Sequence, residues 1–142
     1  MSLISPADQE KLREAFTEMT RPVKVLFFTQ TLDCETCVTT RQIVDELPPL
    51  SDKITVEEVN FVLEQDKAKQ YGIDRVPALA LVSDEGDSRI RFLGAPSGYE
   101  FISLVQAVLL VGGRGPALSD ESQALLAAVD RPVTMQVFTT PT

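Results

Sequence analysis

An α/β fold, with a four-stranded mixed sheet flanked by helices, is predicted by three features of this 142-residue chain. Strand-like apolar runs alternate with segments of helical periodicity, in the order α-β-α-β-α-β-β-α. The run Val23-Lys24-Val25-Leu26-Phe27-Phe28, apolar at five of six positions, has the character of a strand buried on both faces of a sheet. The last two strand-like runs are separated only by Asp84-Glu85-Gly86-Asp87-Ser88, a hairpin signal that adds antiparallel pairing.

Each element has a local reason. Ser5-Pro6-Ala7-Asp8 reads as a capped helix start with proline at the first helical position, after which Leu12, Ala15, Phe16 and Met19 share one face. That helix is expected to end near Thr20, because Arg21-Pro22 stops it. Strand 23–28 follows, then a helix over 35–47 with Val38, Val44 and Leu47 pointing inward and Pro48-Pro49 forbidding continuation. The β-rich segment Ile54-Thr55-Val56-Glu57-Glu58-Val59 is joined to the first strand through a helix, so the two should be parallel with a right-handed crossover. A short helix over 63–71 ends at Gly72, a left-handed stop. Strands 78–83 and 89–93 form the hairpin, and a helix over 97–111 buries Phe101, Leu104, Val105, Val108 and Leu109 before Gly112-Gly113.

Composition narrows the function classes. With 44% hydrophobic and 24% charged residues, the chain can build one real core and part of a second. A net charge of −8 argues against nucleic acid or an anionic membrane as partner. No apolar run is long enough to span a bilayer, since the stretch 104–111 is eight residues and contains Gln106. The first residues lack the basic start and apolar stretch of an export signal, so a cytoplasmic location is expected. Cytosolic thiols are kept reduced unless they turn over, which favours redox chemistry over a structural staple for the two cysteines.

Those cysteines occur as Cys34-Glu35-Thr36-Cys37, between the first central strand and a helix. A thiol at a helix start sees the positive end of the backbone dipole and unpaired N–H groups, which favour the thiolate. A second thiol one turn on can close a ring, so dithiol–disulfide exchange is the leading reading. Two cysteines also fit half of a tetrahedral zinc site or an iron–sulfur cluster shared between chains. Zinc needs four ligands, however, and the chain has no other cysteine and no histidine. Asp33 and Glu35 flank Cys34, with Thr36 completing the loop. Each carboxylate opposes the thiolate by about 1 kcal/mol, comparable to the dipole term. The two effects should cancel, leaving a thiol near its free pKa and a reducing couple.

The dithiol together with Tyr71-Gly72-Ile73-Asp74-Arg75-Val76-Pro77-Ala78-Leu79, whose proline lies 40 residues beyond Cys37, resembles the thioredoxin and glutaredoxin superfamily. The resemblance implies a thioredoxin-like fold with a cis peptide between Val76 and Pro77 facing the dithiol, the backbone of Val76 being left to pair with an extended substrate. It implies Cys34 as the nucleophile on protein disulfides and Cys37 as the resolving thiol, with no cofactor beyond the redox-active disulfide. Gly94 matches a position opposite the proline loop that permits close approach of a partner. Where thioredoxins keep a buried aspartate, this chain has Phe28 or Thr29, so no proton acceptor for Cys37 is identifiable.

A repeat adds a second resemblance. Arg131-Pro132-Val133-Thr134-Met135-Gln136-Val137-Phe138-Thr139 matches the segment beginning Arg21-Pro22-Val23 at an offset of 110, with five of nine positions identical. Residues 119–129 before it form another capped amphipathic pattern, with Leu125, Leu126 and Val129 on one side. This reads as one unit over 1–113, a linker over 114–118, and over 119–142 the first helix and strand of a second unit, whose counterpart of Cys34 would fall at 144. Paired units of this kind resemble the glutaredoxin-like protein disulfide oxidoreductases. The chain is also similar to the N-terminal domain of the flavoprotein component of alkyl hydroperoxide reductase, notably over Arg91-Phe92-Leu93-Gly94-Ala95-Pro96-Ser97-Gly98-Tyr99-Glu100-Phe101. These resemblances imply a protein-disulfide oxidoreductase, or else a module passing electrons from a thioredoxin-reductase-like flavoprotein to a peroxiredoxin, or a unit supporting a second redox site. Strand 133–138, without a sheet of its own, is expected to join the first sheet or to drive homodimerisation.

Overall fold

The computed structural model describes residues 2–140. One four-stranded sheet has the spatial order β2-β1-β3-β4, made by β1 (Val23–Thr29), β2 (Ile54–Asn60), β3 (Ala78–Ser83) and β4 (Gly86–Leu93). β1 runs parallel to β2 and antiparallel to β3, and β3 runs antiparallel to β4. Side chains alternate across a strand, so Val23, Val25 and Phe27 enter one core while Leu26 and Phe28 enter the other. This is why β1 shows no polar alternation. Over the first face lie α1 (Pro6–Phe16), α2 (Cys37–Asp45) and α4 (Tyr99–Val111), which contribute Phe16, Ile43, Val44, Leu104, Val108 and Leu109. The second face is covered by α3 (Gln65–Gln70), with Ala68 and the following Ile73 packed on Phe28 and Leu26.

Several boundaries differ from the sequence expectation, each for a physical reason. α1 begins as expected, with the Ser5 hydroxyl accepting from the Asp8 N–H at 3.2 Å, but it stops at Phe16 rather than near Thr20. The N–H groups of Thr17, Glu18 and Met19 bond three residues back, tightening the turn, and those of Thr20 and Arg21 both go to the Gly112 carbonyl, at 2.8 and 3.1 Å. Tertiary bonding thus replaces the last helical turn. The same corner needs Gly113, which sits at φ +104° with Thr20 Oγ1 where a Cβ would be.

α2 starts at Cys37, not at position 35: the Cys37 N–H reaches only the Cys34 carbonyl, at 3.4 Å, and the first full-turn bond is Thr40 N–H to Thr36 O at 2.9 Å. Val38 does not point inward. It is 65% exposed, because one position after the buried Cys37 the helix turns outward, and Thr40, Ile43 and Val44 fill the inner face instead. The hairpin is tighter than the five-residue spacing implies. Ser83 pairs with Gly86, leaving a two-residue turn, and the surplus chain is absorbed by a bulge opposite Leu81, where Arg89 adopts φ +65°.

After Gly113 a further helix, α5 (Asp120–Ala127), is capped by Ser119 and has no buried residue. Residues 131–140 form neither helix nor strand and are exposed throughout, with Phe138 at 89%. The apolar run 133–138 therefore does not join the sheet, whose parallel edge is β2. Positions 141–142, the end of the expected second unit, lie outside the described residues. No helix among the described residues is long and apolar enough to cross a membrane.

Ion pairs on the sheet surface make stability depend on acidity. Lys67 hydrogen-bonds Glu57, and Lys24 lies 2.9 Å from the same carboxylate; the two ammonium groups hold Glu57 below its ordinary value of 4.5. Arg91, 2.6 Å from Asp87, holds that carboxyl low as well. A carboxylate whose pKa is depressed by folding stabilises the native state above its unfolded pKa and loses that contribution as pH falls through the folded one. The thermal midpoint should therefore fall as pH is lowered from about 5 toward about 3, and Glu57→Gln should flatten that slope. Thermal melts across this range check both statements.

Candidate active site

Register places the reactive loop. Thr29 lies beside Asn60 in the parallel pair, and Phe28 lies opposite Ala78 in the antiparallel one, so the chain leaves β1, enters β3 and leaves β2 at one end of the sheet. Leu93 pairs with Ala78, which brings Gly94 there too. At this end Cys34 and Cys37 are joined as a disulfide, with Cα atoms 5.4 Å apart. Cys34 is half-buried and Cys37 is 5% exposed, so Cys34 is the more accessible residue of the pair. The Gln30 side-chain amide donates to the Leu32 carbonyl at 2.7 Å, pinning the loop, and Asp33 turns it at φ +54°. Asp33, Glu35 and Thr36 are all exposed. Thr36 acts through its backbone: its carbonyl accepts from the Thr40 N–H and from the Thr40 hydroxyl at 2.8 Å, fixing the start of α2 beneath the disulfide.

Because β1 lies between β2 and β3, the dithiol loop has a different neighbour on each side. Toward β3 is the Val76–Pro77 peptide, which is cis. The Pro77 carbonyl accepts from the Gly94 N–H at 2.9 Å, and no hydrogen bond among the described residues engages the backbone of Val76. Gly94 itself sits at φ +90° with open space where a Cβ would be, so its glycine is demanded by backbone conformation and not by a crowding atom of this chain.

Toward β2 is a cleft of about 210 Å³ lined by Thr29, Cys34, Cys37, Arg41, Glu58 and Asn60, among others. Two of these residues carry charge and were not singled out by sequence. Arg41 stands one helical turn beyond Cys37 on the same face of α2. Glu58 is in register with Phe27, whose ring lies 5.5 Å beneath the guanidinium. Arg41 Nη1 donates to Glu58 Oε2 at 2.5 Å. That hydrogen bond holds the Glu58 carboxyl below its ordinary range and raises Arg41. The i, i+4 spacing from Cys37 was the available signal for Arg41; Glu58 had none, since only the sheet register brings it here. Of the two residues near the place of the expected aspartate, each faces a different way. Phe28 turns into the second core, and it is Thr29 that faces the cleft. A threonine hydroxyl is no base near neutral pH. Leu32, Val38, Val62 and Leu63, in the segments that follow β1 and β2 at this end of the sheet, are exposed, and Val38 lines the cleft with the cysteines.

No protein-family model matches the chain. A probable thioredoxin of Methanothermobacter thermautotrophicus is 34% identical over 73 residues, which span 51% of this chain and 80% of that protein. The F component of alkyl hydroperoxide reductase of Escherichia coli is 30% identical over 120 residues, 84% of this chain but only 20% of that protein. Among solved structures, the NTD_N/C domain of alkyl hydroperoxide reductase AhpF from Enterococcus faecalis superposes with a TM-score of 0.80 at 31% identity, covering 90% of this chain and 62% of that one. A protein disulfide oxidoreductase from Aeropyrum pernix superposes with a TM-score of 0.73 at 25% identity, covering 87% and 54%. The chain thus spans most of a small archaeal thioredoxin, a fifth of the Escherichia coli reductase component and somewhat more than half of each of the two larger solved chains.

Proposed function

Since the chain belongs to the thioredoxin family, we propose that it is a thiol–disulfide oxidoreductase acting on protein disulfides, with Cys34 as nucleophile and Cys37 as resolving thiol. The observation that carries this reading is the asymmetry of the pair, an accessible Cys34 bonded to a buried Cys37. In the reducing direction the Cys34 thiolate attacks one sulfur of the partner disulfide and releases the other as a thiolate, forming a mixed disulfide. Cys37 then loses its proton and attacks Cys34, which regenerates the Cys34–Cys37 bond and releases the second partner sulfur. Two electrons pass from the dithiol to the partner, and each departing thiolate takes a proton from water.

The partner's backbone would pair with the N–H and C=O of Val76 beside Pro77, with Gly94 leaving room for it. The exposed apolar residues around the loop suit the hydrophobic flanks of such a segment. The redox-active disulfide is the only group this chemistry requires, and a cytoplasmic location suits a pair that turns over. Insulin reduction driven by dithiothreitol tests the reading. The chain should raise the precipitation rate above that of the reductant alone, and an unchanged rate would overturn it.

A second reading is favoured by the similarity to the F component of alkyl hydroperoxide reductase across 84% of the chain. Here the dithiol relays electrons from a thioredoxin-reductase-like flavoprotein to a peroxiredoxin. Reduction of Cys34–Cys37 by such a flavoprotein without activity on insulin would select it. The organisation proposed with either reading is a redox unit over 1–113, a linker over 114–118 and, over 119–142, the start of a second unit, of which α5 is folded while the strand-like run 133–138 is not paired in this chain. Its support is the repeated Arg-Pro-Val motif and the Ser119-capped helix that precedes it.

A further inference from the structure

We propose that Arg41, held by Glu58, is the positioning residue that sets the thiolate pKa and the reduction potential of the Cys34–Cys37 pair. The proposal rests on the exchange reading above for its purpose but not for its test. Three observations carry it. Arg41 and both cysteines line one small cleft, Arg41 being one turn from Cys37 along the same helix face. Its place is fixed from below by the Phe27 ring and from the side by Glu58. A cation carried on a packed helix keeps its position when the disulfide opens, which a loop cation would not.

The surrounding charges leave Arg41 the one cation among the described residues that line the cleft. Asp33 and Glu35 on the loop are acidic and exposed. On the β2 side Asn60 is uncharged, and the Glu64 carboxylate is occupied by the Asn60 N–H at 2.7 Å. On the β3 side Arg75 is engaged with the neighbouring Asp74 at 2.8 Å. Asp45 lies one turn further along α2, beyond Arg41 from the sulfurs. Opening the disulfide creates a thiolate in a cleft whose fixed charges are Arg41 and Glu58. The cation stabilises that thiolate, and with it the reduced form; the carboxylate partly cancels the cation. Arg41 and Glu58 should therefore act with opposite signs.

The test is the thiolate absorbance of the chemically reduced protein as a function of pH, in the wild type and three variants. Arg41→Met, which keeps the apolar stem over Phe27, should raise the thiolate pKa by about half a unit, and Glu58→Gln should lower it by a similar amount. Arg41→Lys, with its charge retained, should stay within about 0.2 units of wild type. In equilibrium with glutathione, the Arg41→Met dithiol should oxidise about threefold more readily at pH above the thiolate pKa, with no change well below it, because only the thiolate interacts with the cation. Equal pKa values for wild type and Arg41→Met, or shifts of the same sign for Arg41→Met and Glu58→Gln, overturn the proposal. General loosening of the fold would move both variants the same way. If the wild-type disulfide failed to equilibrate with glutathione, the exchange reading would fall, while the thiolate titration would still decide the role of Arg41.

Discussion

Cys34→Ser is expected to remove insulin reduction almost entirely, lowering the rate at least about a hundredfold, since a serine hydroxyl stays protonated where a thiol supplies a thiolate. The substitution is nearly isosteric at a half-buried loop position, so thermal stability of the reduced protein should stay close to that of the reduced wild type. Cys37→Ser should behave differently. It leaves the accessible sulfur able to attack but removes the group that resolves the product, so the variant should accumulate a mixed disulfide with its partner, visible as a mass increase reversed by dithiothreitol. Non-reducing electrophoresis and intact mass of the two variants after incubation with oxidised substrate separate these roles. Trapping by Cys34→Ser and none by Cys37→Ser would reverse the assignment. Equal turnover by Cys34→Ser and wild type would remove Cys34 from the chemistry and leave the chain as a supporting unit.

The second large effect is on stability. Phe28 is fully buried in the core beneath α3, with its ring 6.1 Å from that of Tyr71 and Ala68, Ile73 and Val59 around it. Phe28→Ala should cost about 3–5 kcal/mol, the sum of lost transfer energy and the cavity left by a ring in the middle of a sheet. For a chain of this size that corresponds to a fall in thermal midpoint of roughly 10 °C or more. Val38→Ala, one residue beyond the dithiol and largely exposed, should change stability by no more than about 0.5 kcal/mol. Thermal melts of the pair measure the distance between the expected inward placement of Val38 and its actual one. A large loss for Val38→Ala would place that side chain in a contact that the folded chain does not show.

Much of the fold was legible because its signals are local. β1 announced itself by an apolar run that only a doubly covered strand tolerates, and the two cores on its two faces are the reason. Ser5-Pro6 and Gly72 marked element ends through capping and a left-handed stop, which depend on residues close in sequence. The signals that misled were those decided by distant partners. The end of α1 was taken over by the Gly112 carbonyl, and the run 133–138, though apolar and β-branched, found no strand to pair with. A strand is stable only beside another strand, so pattern alone cannot create one.

The sequence by itself determined the dithiol, its place between a strand and a helix, and the proline loop that accompanies it, since spacing and residue type suffice for these. Only the tertiary structure decided which charges surround the sulfurs. The flanking carboxylates Asp33 and Glu35, prominent in sequence, are exposed to solvent, where water screens them. Arg41 and Glu58, separated from each other by 17 residues, meet beside the disulfide because the register of β2 against β1 and the turn of α2 put them there. Electrostatics depends on distance through space and on exclusion of water, and neither is written along the chain until the sheet and helix have packed.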